Sequence, residues 1–320
     1  MKVTNIEEIK PPTIACHAAA IEYNGDEPIY AWFGGSREGA GDVRIYIQYK
    51  GKVHPLRMSL DCALPAWNPV FMRMHDQLYM FFKVGTFCDS WQTFLLEISF
   101  ADDSICLGKT IMMPAGFNGP VKTAPVVMGN IAYMGSSVET HFKWTSYTET
   151  AILNDGKWFF HRGDPIGVFS THPFKGLIQP ALWMEGTVLH AMFRSSKESG
   201  YIWHAMQDDD GNWRPAMATH IPNPNSGIDV VQHSNGKRYL IYNPSAEART
   251  PLNIAEFELN KAGNPELLKV VEIEAVSNAQ AWNIGTPEVS YPYGIEAPNG
   301  DITVVYTHRR KTIKCATVVP

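Results

Sequence analysis

The feature that most constrains this chain is its repetition. Six times along 320 residues a strand of small residues is followed, after a short polar turn, by a more aromatic strand. The leading strands read CHAAAI (16–21), WNPVFM (67–72), TAPVVM (123–128), IQPALW (178–183), GIDVVQ (227–232) and SYPYGI (290–295). Their partners read IYAWFGGSR (29–37), LYMFFKVG (78–85), AYMGSSVE (132–139), LHAMFRSS (188–195), YLIYNPS (239–245) and ITVVYTHRR (302–310). Turns such as YNGDEP, SNGK and PNGD join them, carrying the Asn-Gly and related pairs that give tight hairpins their positive φ. A third strand follows in most copies, as in VRIYIQY (43–49), TFLLEIS (93–99), YIWHAMQ (201–207), LNIAEFEL (252–259) and TIKCATV (312–318). Segments such as HPLRMSL (54–60) and LLKVVEIEA (267–275) supply a fourth.

A period of roughly 50 residues with four strands per copy is the size of one propeller blade. The spacing therefore predicts an all-β fold, a six-bladed β-propeller of four-stranded antiparallel blades forming one domain over residues 1–320. The last copy ends after its third strand, and VTNIEEI (3–9) precedes the first full copy. That N-terminal strand is predicted to complete the last blade and close the ring, removing open sheet edges. A pair of β-sandwiches would not account for six registered copies, and no segment sustains the 3.6-residue periodicity of a long helix.

Composition narrows the function. Hydrophobic residues make up 45% and charged residues 18%, with nine Trp, thirteen Tyr and fifteen Phe suited to pleated surfaces. The net charge of −5 and the scattered basic residues argue against a nucleic-acid or anionic-membrane partner. No run approaches the length of a membrane span, and the N-terminus MKVTNIEEIKPP has no apolar stretch of a leader. Five cysteines, Cys16, Cys62, Cys88, Cys106 and Cys315, are odd in number and form no C-x-x-C pair. The expectation is a cytoplasmic protein with no disulfide framework, no structural zinc, no metal site and no cofactor.

The phrases CHAAAI, WFGGSREGAGDV, WNPV, GPVKTAPV, GSSVE, IQPAL, PNPNSGIDVV, NPS…RTPLNIA, SYP and VYTHRR, in this order, resemble the sialidase-like propeller family, whose members carry BNR repeats. The rhamnosyl-glucuronate lyase propellers resemble it too. In sialidases a turn between the third and fourth strands carries an Asp-box. Here its counterparts are the eroded LNDGKW (153–158) and QDDDGNW (207–213). The resemblance further implies three arginines on a substrate carboxylate, a tyrosine nucleophile with a glutamate base, and an aspartate acid. The first arginine belongs to a phrase that here reads ACHAA, so His17 stands in its place.

In a propeller the ends of the inner strands and their loops line the channel mouth. His17, Arg37, Asp42 and Tyr291 are accordingly the catalytic candidates. An imidazole titrating near neutrality takes and returns a proton, while Tyr291 as nucleophile calls for a base such as Glu288 or Glu139, with Asp42 as acid. Arg194 and Arg249, with Arg37, reach one end from three blades, and planar guanidinium groups bind carboxylates bidentately. Arg309 joins the substrate-binding set, whereas Arg310 reads better as an inter-blade salt bridge. Lys83 and Lys122 are expected at equivalent mouth positions, adding positive charge or steadying an enolate. Trp67 and Asn68 read as a sugar platform and a hydroxyl partner, with inter-blade packing an equal reading for Trp67. Asn225, Ser226 and Asp229 belong to PNPNSGID, where Asp229 is an acid or a loop anchor. Gln179, Asn243 and Tyr306, with Asn253, complete a polar ring.

The sequence thus points to an acidic oligosaccharide or glycan as substrate. The leading expectation is an enzyme cleaving at a terminal acidic sugar, by histidine-assisted β-elimination at a uronate. Sialidase-type hydrolysis through a tyrosine nucleophile is the first alternative, and a non-catalytic glycan- or protein-binding propeller the second.

Overall fold

The computed structural model describes residues 1–57, 64–277 and 287–320. Cys62 and the end of HPLRMSL lie outside the described residues. Among the described residues, twenty-four strands form six four-stranded antiparallel sheets, each wound from the inside outward. Blade one holds β2 (Ala15–Asn24), β3 (Glu27–Gly35), β4 (Arg44–Tyr49) and β5 (Lys52–Pro55). Blade two holds β6 (Ala66–Met74), β7 (Gln77–Val84), β8 (Gln92–Ala101) and β9 (Ser104–Met112). Blade three holds β10 (Val126–Met128), β11 (Ile131–Glu139), β12 (Trp144–Asn154) and β13 (Lys157–Arg162). Blade four holds β14 (Leu177–Glu185), β15 (Val188–Ser195), β16 (Tyr201–Met206) and β17 (Met217–Pro222). Blade five holds β18 (Asp229–Gln232), β19 (Arg238–Tyr242), β20 (Leu252–Leu259) and β21 (Pro265–Glu274).

Blade six takes β22 (Val289–Glu296), β23 (Ile302–His308) and β24 (Thr312–Val319) from the end of the chain and β1 (Lys2–Ile9) from its start. The expected ring closure is present: Lys2 lies opposite Val319 and Ile9 opposite Ile313. Burial follows the layering. In β14, seven consecutive residues from Leu177 to Trp183 are buried, because an inner strand is covered on both faces by neighbouring blades. The outer β9 and β13 have no buried residues and face solvent on one side. Among the described residues no helix is long and apolar enough to cross a membrane.

One backbone device recurs on the inner strands. The register shifts between His17 and Ala20, Trp67 and Val70, Ile178 and Ala181, and Ser290 and Tyr293. At each shift a residue adopts positive φ: Ala18 (52°), Asn68 (33°), Gln179 (54°) and Tyr291 (54°). Such bulges bend a strand and re-aim its side chains, at a cost of about 1–2 kcal/mol for each non-glycine residue in the left-handed region. Asn68, Gln179 and Tyr291 each precede a proline. Blade three repeats the pattern at Gly119 (φ 61°) before Pro120. Its counterpart of the other leading strands is thus NGPV (118–121), upstream of TAPVVM, of which only Val126–Met128 is strand.

At three of these bulges the proline carbonyl accepts a hydrogen bond from another blade, and Lys122 reaches from blade three to blades five and six. Lys83 Nζ donates to Pro120 O, Lys122 Nζ to Pro292 O and, at 3.2 Å, to Ile228 O. Thr123 donates to Pro180 O at 2.8 Å and Asn68 to Val121 O at 3.0 Å. The blades approach so closely that a Cβ on Gly135 would lie 2.0 Å from Pro180 O.

Candidate active site

Because β2 runs away from His17 and β3 returns, the loops between second and third strands sit at the same end as His17. That end is the mouth, where residues of blades one, four, five and six meet. His17 is buried (2% exposed), with no hydrogen-bond partner at either ring nitrogen. Its ring packs 4.1 Å from that of Tyr291 and edge-on at 5.6 Å from Phe33. Desolvation, then the charges of Arg310, Arg249, Arg194 and Lys122, hold the imidazole well below its ordinary pKa. It is neutral at physiological pH.

Tyr291, left-handed at the blade-six bulge, brings its hydroxyl to blade four. There it accepts from Arg194 Nη1 at 2.5 Å and from Gln179 Nε2 at 3.4 Å. Arg194, at the end of β15, also donates from Nη1 to Gln179 Oε1 at 3.1 Å and from Nε to Asn225 Oδ1 at 2.8 Å. Arg249, in the β19–β20 loop, donates to Asn225 O at 2.8 Å and to Glu288 Oε1 at 3.0 Å. Both guanidinium groups lie over the Tyr291 ring, at 5.5 and 5.6 Å. Arg310 donates from Nε to Glu288 Oε2 at 2.9 Å and pairs through Nη1 with Glu38. Glu288 thereby ties two arginines to one carboxylate and also accepts from Ser290 Oγ. The salt-bridge reading of Arg310 describes these contacts, but the residue also lines a small cavity with His17, Arg37 and Glu38.

Chemically this is a cation-rich cluster suited to an anion. Two guanidinium groups stand over one phenol ring, a third lies beside the histidine, and the base-capable imidazole has no partner of its own. A carboxylate of matching size would gain charge-assisted hydrogen bonds from the arginines. Among the described residues no group of three or more His, Cys, Asp or Glu is arranged to hold a metal ion.

Other expected residues go elsewhere. Trp67 is buried, donates from Nε1 to Gly85 O at 2.7 Å and packs on Trp91 and Phe33, so it is inter-blade packing and not an open sugar platform. Lys83 and Lys122 are buried among blade-to-blade contacts rather than open at the mouth, as are the Asn68 and Asp229 side chains. Asp229 accepts from Val230 N and Gly294 N, each at 2.9 Å, anchoring blade five to blade six. Its burial lifts the carboxyl to about 6, against the pull of Lys122. Asp42 is exposed and accepts from Ser36 N and Oγ at 2.9 Å, bonds that hold it below the usual carboxylate range. That makes it a loop anchor already ionised at neutral pH, poorly suited to donating a proton.

Asn243 donates to Pro251 O and Val289 O, and Asn223 grips the Ser226 backbone on both sides. Tyr306 is fully buried and directs its hydroxyl to Glu274 at 2.8 Å, away from the mouth. Arg309 is buried in a left-handed turn whose N–H donates to Glu288 O at 2.7 Å. Arg37 is exposed at the rim. Sequence reasoning undervalued Glu288 and Arg310 and missed Glu38. The signal for all three was position, since Glu288 and Arg310 flank the last hairpin and Glu38 follows Arg37.

The fold and the repeats define a class, the sialidase-like six-bladed β-propellers. Within it the chain belongs to the family of the BNR repeat-like domain, which matches residues 28–304. No curated protein matches it by sequence. Among solved structures it is similar to a protein of unknown function from Dyadobacter fermentans, with a TM-score of 0.68 and 9% identity over 98% of both chains. It is also similar to Trypanosoma rangeli sialidase in complex with the inhibitor DANA, with a TM-score of 0.68 and 11% identity. That match covers 96% of this chain but 55% of the sialidase, so the chain spans about half the sialidase's length. A subtype N10 neuraminidase-like protein of the A/little yellow-shouldered bat strain matches with a TM-score of 0.55 and 8% identity, over 99% of both chains. At these identities the likeness concerns the fold.

Proposed function

We propose that this propeller is a carbohydrate-active enzyme that cleaves a glycosidic bond at an acidic sugar by β-elimination at a uronate. The observation that carries the reading is His17: a buried, unpartnered, neutral imidazole against Tyr291, facing the charges of Arg194, Arg249 and Arg310. In this reading the arginines take the substrate carboxylate and hold the negative charge that spreads onto it as the neighbouring C–H is broken. His17 accepts that proton, a carbon–carbon double bond forms, and the glycosidic C–O bond breaks. The departing oxygen needs a proton. In this reading Tyr291 gives one, which is supported by both its hydroxyl contacts being donors to its oxygen, so that its own O–H is left to point elsewhere. The protonated His17 then restores the tyrosine. An anionic substrate also raises the imidazole's proton affinity on arrival, so the base strengthens when it is needed.

The sialidase-type alternative asks for a carboxylate base at the tyrosine. Glu288 is instead engaged by Arg249, Arg310 and Ser290, which favours elimination. The test is incubation with a panel of uronate- and sialate-capped oligosaccharides, read by ultraviolet absorbance of an unsaturated uronate and by assay of released sialic acid. Elimination predicts the absorbance, lost in His17→Ala. Free sialic acid without it would replace this reading by hydrolysis. Binding that survives His17→Ala, with no product of either kind, would make the protein a glycan-binding propeller.

A further inference from the structure

Beyond the arginine cluster, a cavity of about 400 Å³ opens on blade four, within the size range of small-molecule sites. One wall is Glu198 and Ser199, in the loop that follows β15 and Arg194. The other is the connection from blade three, pinned by Phe169 N to Ala216 O at 2.9 Å and by Lys175 N to Ser196 Oγ at 3.2 Å. Phe169 and Tyr201 stand 66% and 46% exposed at its edge. Behind them Phe174 and Trp203 stack at 5.0 Å, so the apolar floor is rigid.

The polar groups around these rings have capacity to spare. Ser199 Oγ accepts from Trp203 Nε1 at 2.7 Å, which leaves its own O–H to donate. His172 meets the Thr171 hydroxyl through Nδ1 at 2.9 Å, leaving Nε2. Glu198 remains an acceptor, its carboxyl held below its ordinary value by the Ser196 hydroxyl. Among the described residues no lysine or arginine lines the cavity, and its one charge is negative. Flat apolar faces interleaved with hydroxyl, imidazole and carboxylate partners match the C–H faces and hydroxyls of a pyranose. The absence of cations and the Glu198 carboxylate select against an acidic one.

We propose that this cavity is a second carbohydrate subsite, which takes a neutral sugar residue. As the seat of the next residue of a glycan whose acidic end lies at Arg194, it rests on the acidic-glycan reading; as a binding site it does not.

The test is saturation-transfer NMR and calorimetry on the intact protein with methyl glycosides of glucose, galactose, mannose and rhamnose, and with glucuronate as the acidic comparison. At least one neutral glycoside is expected to bind. Tyr201→Ala and Phe169→Ala should each weaken it about tenfold, the equivalent of about 1.4 kcal/mol and one stacking contact. Tyr201→Phe, which keeps the ring, should retain binding, and circular dichroism checks that each variant is folded. Arg194→Met should leave neutral-sugar binding intact even if it abolishes activity on acidic glycans, which separates failure of the subsite from failure of the proposed reaction. The proposal is overturned if no neutral glycoside binds, if binding persists in the Phe169→Ala/Tyr201→Ala double variant, or if glucuronate binds there equally well.

Discussion

Replacing Lys83 with methionine probes the contact between blades two and three directly. Lys83 is fully buried on β7, and among the described residues its Nζ donates to the Pro120 carbonyl. Desolvation lowers its pKa from 10.5 to about 7, with Glu149 acting weakly in the opposite sense. The unfolded chain keeps the ordinary lysine value, so between pH 7 and 10.5 it holds more protons than the folded one. Stability must then rise with pH across that window, by about 1.4 kcal/mol per pH unit per proton, for a total of about 5 kcal/mol. Lys122, lowered to about 8, acts in the same direction from pH 8 upward. Methionine keeps the apolar stem and removes the titrating group, at the cost of an unpaired Pro120 carbonyl worth about 1–3 kcal/mol. That cost does not depend on pH. Urea unfolding of both proteins between about pH 7.5 and 9.5 should therefore show a wild-type stability gain steeper than the variant's by about 1.4 kcal/mol per pH unit. Ionisation of tyrosines and cysteines is common to both and cancels in the difference. Parallel stability curves would refute a lysine that is buried between the blades by surrendering its proton.

Other outcomes follow from the same geometry. The lowered pKa of His17 means the imidazole stays unprotonated well below pH 6.5, so turnover on an acidic glycan should persist on the acid side of neutrality. The same shift makes the folded state bind fewer protons than the unfolded one there, so His17 should subtract stability as pH falls below 6.5, and His17→Gln should flatten that part of the curve. Tyr291→Phe should retain the fold and the affinity for an acidic sugar but lose most of kcat. Equal loss in KM alone would assign it to binding. Glu288→Gln leaves one acceptor oxygen for two arginines, so one guanidinium loses the partner that aims it and KM should rise about tenfold, with thermal stability measured alongside to exclude unfolding. Gly135→Ala should cost about 3 kcal/mol in urea unfolding, since its Cβ would meet the backbone carbonyl of Pro180, and an unchanged midpoint would contradict the close blade contact.

The architecture was legible in the chain because each blade repeats one local pattern. A small-residue strand, an Asn-Gly-type turn and an aromatic partner recur whether or not the blades have met, and even the closing role of residues 3–9 follows from a copy short by one strand. Blade three was read out of step, because its inner strand is interrupted. Its x-Pro bulge falls at Gly119–Pro120, and only three residues of TAPVVM pair as strand. The site was legible in part: His17, Tyr291, Arg194, Arg249, Gln179 and Asn225 do converge. Trp67, Lys83, Asn243 and Tyr306 have the residue types of a sugar site yet serve packing and blade-to-blade hydrogen bonds.

The sequence by itself determined the number of blades, the order of their strands and the set of polar residues carried to the mouth. All of these are properties of segments a few residues to one repeat long. Only the tertiary structure decided which of those residues face each other. The bulges re-aim inner-strand side chains in a way no alternation pattern records, and the Pro120, Pro180 and Pro292 carbonyls take their donors from other blades. Lys83 and Lys122 were drawn inward to fill that need, and Arg310 was drawn beside His17 by a carboxylate it shares with Arg249. Partners so distant along the chain are chosen by ring closure, which no local stretch of sequence encodes.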